Sequence, residues 1–201
     1  MTAIAATVGA HTVTVADIDA REQALRAGPR QYALPRPGTA EARQLRRWLT
    51  QVLVAERVVA AASAGLDAAA VPTEDELLPD TVARLEIGSV AAATLADPAA
   101  RAVYVAVTSD VTVTDEAVAA YHARNPLRFS HTQPAGGGWR RPSTAAALGD
   151  VRAEIATHLL AAARRRAYRR WLDSRCAEMV TLYEGYEHPG DPRQPDNTHR
   201  H

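Results

Sequence analysis

The residues best suited to chemistry in this 201-residue chain crowd into its last stretch. Residues 187–201 read E-H-P-G-D-P-R-Q-P-D-N-T-H-R-H and hold three of the seven histidines, two aspartates and three prolines. His199 and His201 form an H-x-H pair, which in extended backbone points both imidazoles to one side. With His188, Asp191 and Asp196 they offer a nitrogen and oxygen shell of the kind that takes a divalent zinc, iron, manganese or copper ion. The spacing matches no established metal motif, and the competing reading is a polar, proline-restrained tail wrapped over a neighbouring surface. P-G-D-P and P-D-N-T are turn formers, so the segment is not a low-complexity run.

A second constellation is the arginine cluster Arg164, Arg165, Arg166, Arg169 and Arg170, followed by Trp171. Guanidinium forks on Arg166, Arg169 and Arg170, with Trp171 beside them, would clamp a substrate carboxylate, a phosphopantetheine phosphate or an acidic carrier protein. The plainer alternative is a solvated face paired with aspartates and glutamates. Near the middle of the chain Tyr121, His122 and His131, with Phe129 and Trp139, are the catalytic candidates, since His122 could place an imidazole at a cavity; the plainer alternative is that it packs or faces water. His158 reads as a core histidine, and Cys176 as a small buried hydrophobe. No P-loop, G-x-G-x-x-G, H-E-x-x-H or Ser-His-Asp order is present, so no nucleotide cofactor is expected.

Composition narrows the classes further. Basic and acidic residues balance at 23 each, which argues against the broad positive field of a nucleic-acid binder. Every basic residue is arginine, so no lysine can serve as a Schiff base or general base. A single cysteine excludes an internal disulfide and a C-x-x-C site. The first residues lack a basic n-region and a long apolar run, and no later segment has eighteen uninterrupted apolar residues. The expectation is a soluble, cytoplasmic protein with no membrane partner.

The elements that must position these groups are mainly helical. Val8 to Val13 alternates as a short strand with a turn, after which Thr14 or Asp17 caps a helix running to about Ala27. Leu45, Trp48, Leu49, Val52, Leu53, Val59 and Ala60 recur at helical spacing between Thr39 and Ala64. Thr73 and Glu76 form a capping box that predicts a helix to about Leu85, and a further helix spans about Asp97 to Val107. Thr114 caps a helix to Arg124, which Asn125-Pro126 ends. The Gly- and Pro-rich residues 130–145 are a linker, and a long helix follows from about Ala146 to Tyr183. Its apolar stripe changes sides, from Ile155, Leu159 and Ala162 to Tyr168, Trp171, Leu172, Cys176 and Met179, so it must leave one packing partner and meet another. Helices this rich in alanine leave apolar faces that a homodimer would cover.

V-G-A-H-T-V-T-V-A-D-I-D-A-R, the long helix ending in A-S-A-G-L, and V-T-V-T-D-E-A-V-A-A-Y-H-A-R-N-P-L-R-F resemble, in this order, the chaperone part of bacterial SurA/PrsA-type peptidyl-prolyl isomerases. The resemblance implies a mostly α, SurA-like helical domain with a short N-terminal strand, whose first and last segments combine into one lobe. It also implies a parvulin domain after Phe129, and here the linker stands instead, with His131 as a remnant, so no isomerase residue carries over. The divisions expected are 1–129 for the N-terminal helical region, 130–145 for the linker, 146–185 for the returning helix and 186–201 for the tail. The tail is similar to that of a little-characterised actinomycete family associated with polyketide and other natural-product gene clusters. Two functions follow: a metal-dependent natural-product enzyme acting by cyclisation, hydrolysis or oxidation on a small acidic substrate, free or on an acyl carrier protein, or a non-catalytic chaperone-like protein that holds an unfolded segment or a partner enzyme.

Overall fold

A computed structural model describes residues 3–29, 31–129, 146–189 and 191. The chain opens as a hairpin of β1 (Ile4–Val8) and β2 (His11–Thr14), antiparallel and joined at Gly9-Ala10. Gly9 takes the left-handed conformation that the tight turn requires, with φ +55°. Thr14 then caps α1 (Val15–Arg26) through a capping box: its hydroxyl accepts from the Asp17 amide, and the Asp17 carboxylate accepts from the Thr14 amide. Those bonds to Thr14 hold the Asp17 carboxyl below the ordinary carboxylate range.

The spine of the fold is α2 (Ala40–Ala62), capped by Thr39. It buries Leu49, Val52, Leu53, Val54, Ala55, Val58 and Val59, a set too wide for one face, so other elements cover it from several sides. The strands, α1 and the later helices over residues 89–94, 98–107 and the second half of 148–179 supply that cover. Arg46 on α2 pairs with Asp19 and Glu22 of α1 at 2.7 and 2.9 Å, and Glu22 also pairs with Arg26.

Residues 73–107 differ from the expectation of one helix to Leu85 and another from Asp97. They form four: α3 (Glu74–Leu77), α4 (Thr81–Ile87), α5 (Ser89–Thr94) and α6 (Pro98–Val107). Pro79 disfavours helical backbone at Leu78, which sits at φ −127° and ψ 63°, and Asp80 restarts the chain by accepting from the Ala83 amide at 2.7 Å. Gly88, at φ +86°, separates α4 from α5. The capping box of Thr73 and Glu76 is present, although it opens a helix of only four residues.

The helix capped by Thr114 runs as expected, as α7 (Asp115–Arg124), and Asn125 closes it with a side-chain bond to the Tyr121 carbonyl. The last helix, α8 (Leu148–Met179), stops four residues short of the expected Tyr183. Val180–Leu182 turns into a strand, β3, that pairs antiparallel with β1 in the register Ala6↔Leu182, Thr7↔Thr181 and Val8↔Val180. The sheet order is therefore β2-β1-β3. Among the described residues the chain is mostly helical with one short three-stranded sheet, and no described helix is long and apolar enough to cross a membrane.

The switch of partners along α8 follows its shifting stripe. Val151 and Ile155 pack with Val118 of α7 in a small separate cluster, whereas Tyr168 and Leu172 belong to the main core. The linker 130–145 lies outside the described residues, and with it His131 and Trp139.

Candidate functional site

One turn of α8 sends neighbouring arginines in different directions, because successive helical residues are about 100° apart. Arg165 turns inward and is only 6% exposed. Its Nε donates to Glu86 Oε2 at 2.8 Å and an Nη donates to the Leu77 carbonyl at 3.3 Å. Arg166 donates to the other oxygen of Glu86 from an exposed position. Arg169 leans over the α4–α5 junction, with its Nε 3.8 Å from Asp173 Oδ2, and Arg170 is exposed. Trp171 is half-buried and stacks on Tyr168 with ring centroids 5.6 Å apart. The three guanidinium groups expected to form a clamp thus face separate surroundings, and the deepest arginine of the cluster, Arg165, is one the spacing did not single out.

Arg169 does border a groove. Gln51 of α2, the Ile87–Ala91 turn, and Arg169, Leu172, Asp173 and Cys176 of α8 line a cavity of about 300 Å³, with His188 at its edge. Gly88 shapes the wall: its left-handed backbone makes the α4–α5 corner, and Arg169 Cζ lies 3.7 Å from where a Cβ would stand. Ser89 Oγ receives the Trp48 indole proton at 3.1 Å. The buried Nε2 of Gln51 has no hydrogen-bond partner among the described residues. A donor left this way inside a fold costs roughly 1–3 kcal/mol unless something else accepts from it.

The groove is equipped to bind more than to attack. Burial, reinforced by the Asp173 charge, pushes the Cys176 thiol up to about 11, so at neutral pH it is a thiol and not a thiolate nucleophile. Arg169 and Gln51 are donors suited to a carboxylate or carbonyl oxygen, and His188 is the group at hand for proton transfer.

The described part of the tail reaches this groove. Tyr186 packs on the core and shares a side-chain hydrogen bond with Arg46, while Pro189 lies with Leu45 and Trp48 along α2. The Asp191 amide bonds the His188 carbonyl at 2.9 Å, a tight turn that holds the two residues close. The other expected metal ligands, Asp196, His199 and His201, lie outside the described residues. Among the described residues no group of three or more His, Cys, Asp or Glu is arranged to hold a metal ion.

The acid–base candidates of the middle chain stand elsewhere, at the α7–α8 contact. His122 Nε2 bonds the Ala146 carbonyl at 2.9 Å, tying α7 to the residues that lead into α8. The Tyr121 hydroxyl meets His158 Nε2 at 3.3 Å, and Phe129 lies edge-on to both rings. His131 lies outside the described residues. Sequence spacing offers no signal for Gln51, Ser89 or Gly88, since each becomes part of a site only when α2, α4 and α8 converge.

The model of a family described as a "Family of unknown function (DUF7158)" matches residues 4–41, which span the hairpin, α1 and the first residues of α2. No curated protein and no solved structure matches the chain.

Proposed function

We propose that this protein is a natural-product biosynthetic enzyme, built on a SurA-like scaffold without a parvulin domain, that works on a small acidic substrate in the groove between α2, the α4–α5 turn and α8. The unpaired Gln51 amide beside Arg169 is the observation that carries it. A substrate carboxylate accepting from Arg169 and a carbonyl accepting from Gln51 would satisfy both donors, with His188 exchanging the proton. An acyl carrier protein could present the substrate, with the exposed Arg170 as a contact for its acidic surface.

The SurA-like part of the reading is supported by the strand-turn-helix opening and by the return of β3 to β1, which joins the first and last segments in one lobe. If a divalent metal takes part, His188 and Asp191 are its described ligands and Asp196, His199 and His201 complete the set from the tail. Bound there, it would supply Lewis acidity. The reading as a chaperone-like binder rests on a different surface, where Val82 and Leu85 of α4 are 67% and 74% exposed beside Ala92, Ala93 and Ala96.

Malonate and acetoacetate, titrated into the full chain, test the groove through the side-chain resonances of Gln51 and Arg169. Saturable shifts of both are expected, with Arg169→Gln weakening the binding about tenfold, a loss of roughly 1.4 kcal/mol. Flat titrations at Gln51 would sink the proposal. Elemental analysis beside a chain ending at Gly185 tests the metal separately: stoichiometric metal should disappear with the tail.

A further inference from the structure

A second cavity, of about 560 Å³, lies nearer the N-terminal end of α8, bounded by Pro72, Glu76 and Leu77, by Tyr104, Val105, Thr108 and Ser109 at the end of α6, and by Ala161, Arg164 and Arg165. Its polar groups can be followed one by one. Arg165 is committed to Glu86 and to the Leu77 carbonyl. The Thr108 hydroxyl donates to the Tyr104 carbonyl at 2.7 Å, and Ser109 Oγ donates to the Ala106 carbonyl at 3.0 Å. The Glu76 carboxylate accepts from both the amide and the hydroxyl of Thr73.

Two donors remain. Arg164 has a buried Nε with no hydrogen-bond partner among the described residues. Tyr104 is 4% exposed, and it brings a hydroxyl to the same cavity. Burial raises the Tyr104 hydroxyl above the ordinary tyrosine value, so it keeps its proton as a donor at neutral pH. The charge balance points the same way. Glu86 is shared by Arg165 and Arg166, so with Glu76 also in the lining three guanidinium groups stand against two carboxylates, an excess of one positive charge. The remaining walls, Pro72, Leu77, Val105 and Ala161, are apolar.

We infer that this cavity is a binding site for a small organic carboxylate, whose anionic end accepts from the Arg164 guanidinium and the Tyr104 hydroxyl and whose apolar body lies against Leu77, Val105 and Ala161. A volume of this size is in the ordinary range for small-molecule sites, and a few placed donors in an otherwise apolar lining are their usual make-up. The site shares no lining residue with the Arg169 groove.

The full chain titrated with hexanoate, hexan-1-ol and inorganic phosphate, observed at the Arg164 Nε–H resonance and by calorimetry, tests the inference. Hexanoate should bind saturably and move that resonance, with hexan-1-ol at least about tenfold weaker because it lacks the charge. Arg164→Gln should weaken hexanoate about tenfold and Tyr104→Phe about threefold, the latter with its thermal unfolding unchanged. Arg169→Gln should leave hexanoate affinity as it is, so a failure here is distinct from a failure at the groove. Equal binding of hexanoate and hexan-1-ol, tighter binding of phosphate, or the absence of any shift at Arg164 would each overturn it.

Discussion

His158 illustrates how a single residue acquires a role that spacing along the chain does not show. It sits among the apolar side chains of α8, and a core position is the natural expectation; the structure adds a ring of partners drawn from residues 121–129. Tyr121 bonds its Nε2, the Tyr121 and Phe129 rings pack on it at 5.5 and 6.1 Å, and Arg128 lies over the Tyr121 face. Desolvation first, then the Arg128 and Arg165 charges, hold the imidazole below its ordinary value of 6.5. The folded state therefore binds fewer protons than the unfolded one at this site. Its contribution to stability is complete above 6.5 and is lost as pH falls through the lower folded value. The His158 Cε1 proton should titrate with a midpoint below 6.5, and His158→Gln should flatten the acid side of the stability profile. A midpoint at or above the free value would remove the effect. The same logic explains the candidate site: Arg169 and His188 are visible as chemical types, but Gln51 gains meaning only from being buried unpaired beside them.

Between residues 73 and 94 the helices are shaped by their breaks. Gly88 occupies φ +86° and ψ 150°, a region that side chains with a Cβ avoid, and both the end of α4 and the start of α5 depend on it. An added Cβ would meet Arg169 only at ordinary contact distances, from 3.7 Å, so the cost is in the backbone. Gly88→Ala should destabilise the protein by about 1–3 kcal/mol in urea denaturation with an unchanged m-value, and should also weaken ligand binding at the groove. A neutral result would mean that the corner relaxes without strain. Local signals carried much of this level: Thr73 and Thr114 cap as expected, Thr14 is the cap of the two candidates offered at the first helix, and Thr39 caps where the helical pattern begins. What they could not convey was length. The capping box at Thr73 is the same whether four residues or twelve follow, and Pro79 decides the matter. The strand β3 has no local signal at all, because Val180-Thr181-Leu182 continues a helical pattern without a turn. It becomes a strand because β1 offers an unpaired edge, a partner some 175 residues earlier in the chain.

At the scale of the molecule, the chain ends meet in one sheet while α8 spans two cores of unequal size. The main core joins the sheet, α1, α2, α4, α5, α6 and the second half of α8. The other consists of Val118, Val151 and Ile155, fully buried, with partly buried neighbours such as Val113, Tyr121, Phe129 and Leu159. At about 1.5–3 kcal/mol per buried aliphatic side chain, before the ordering entropy is subtracted, three residues cannot hold α7 as firmly as the main core holds α2. The tie between His122 and Ala146 and the exposed pair of Arg152 with Asp115 add little to that. The two ends of α8 should therefore differ in cooperativity even though they belong to one helix. In native-state hydrogen exchange, amides of α7 and of α8 up to about Leu159 should exchange through a sub-global opening several kcal/mol below the amides of α2 and β1, which should open only with global unfolding. Amides around Tyr168 and Leu172 should follow the second group, since their protection comes from the main core. Uniform protection along α8 would show that the helix transmits the stability of its larger core to its far end, and that α7 is held by more than the cluster it packs against.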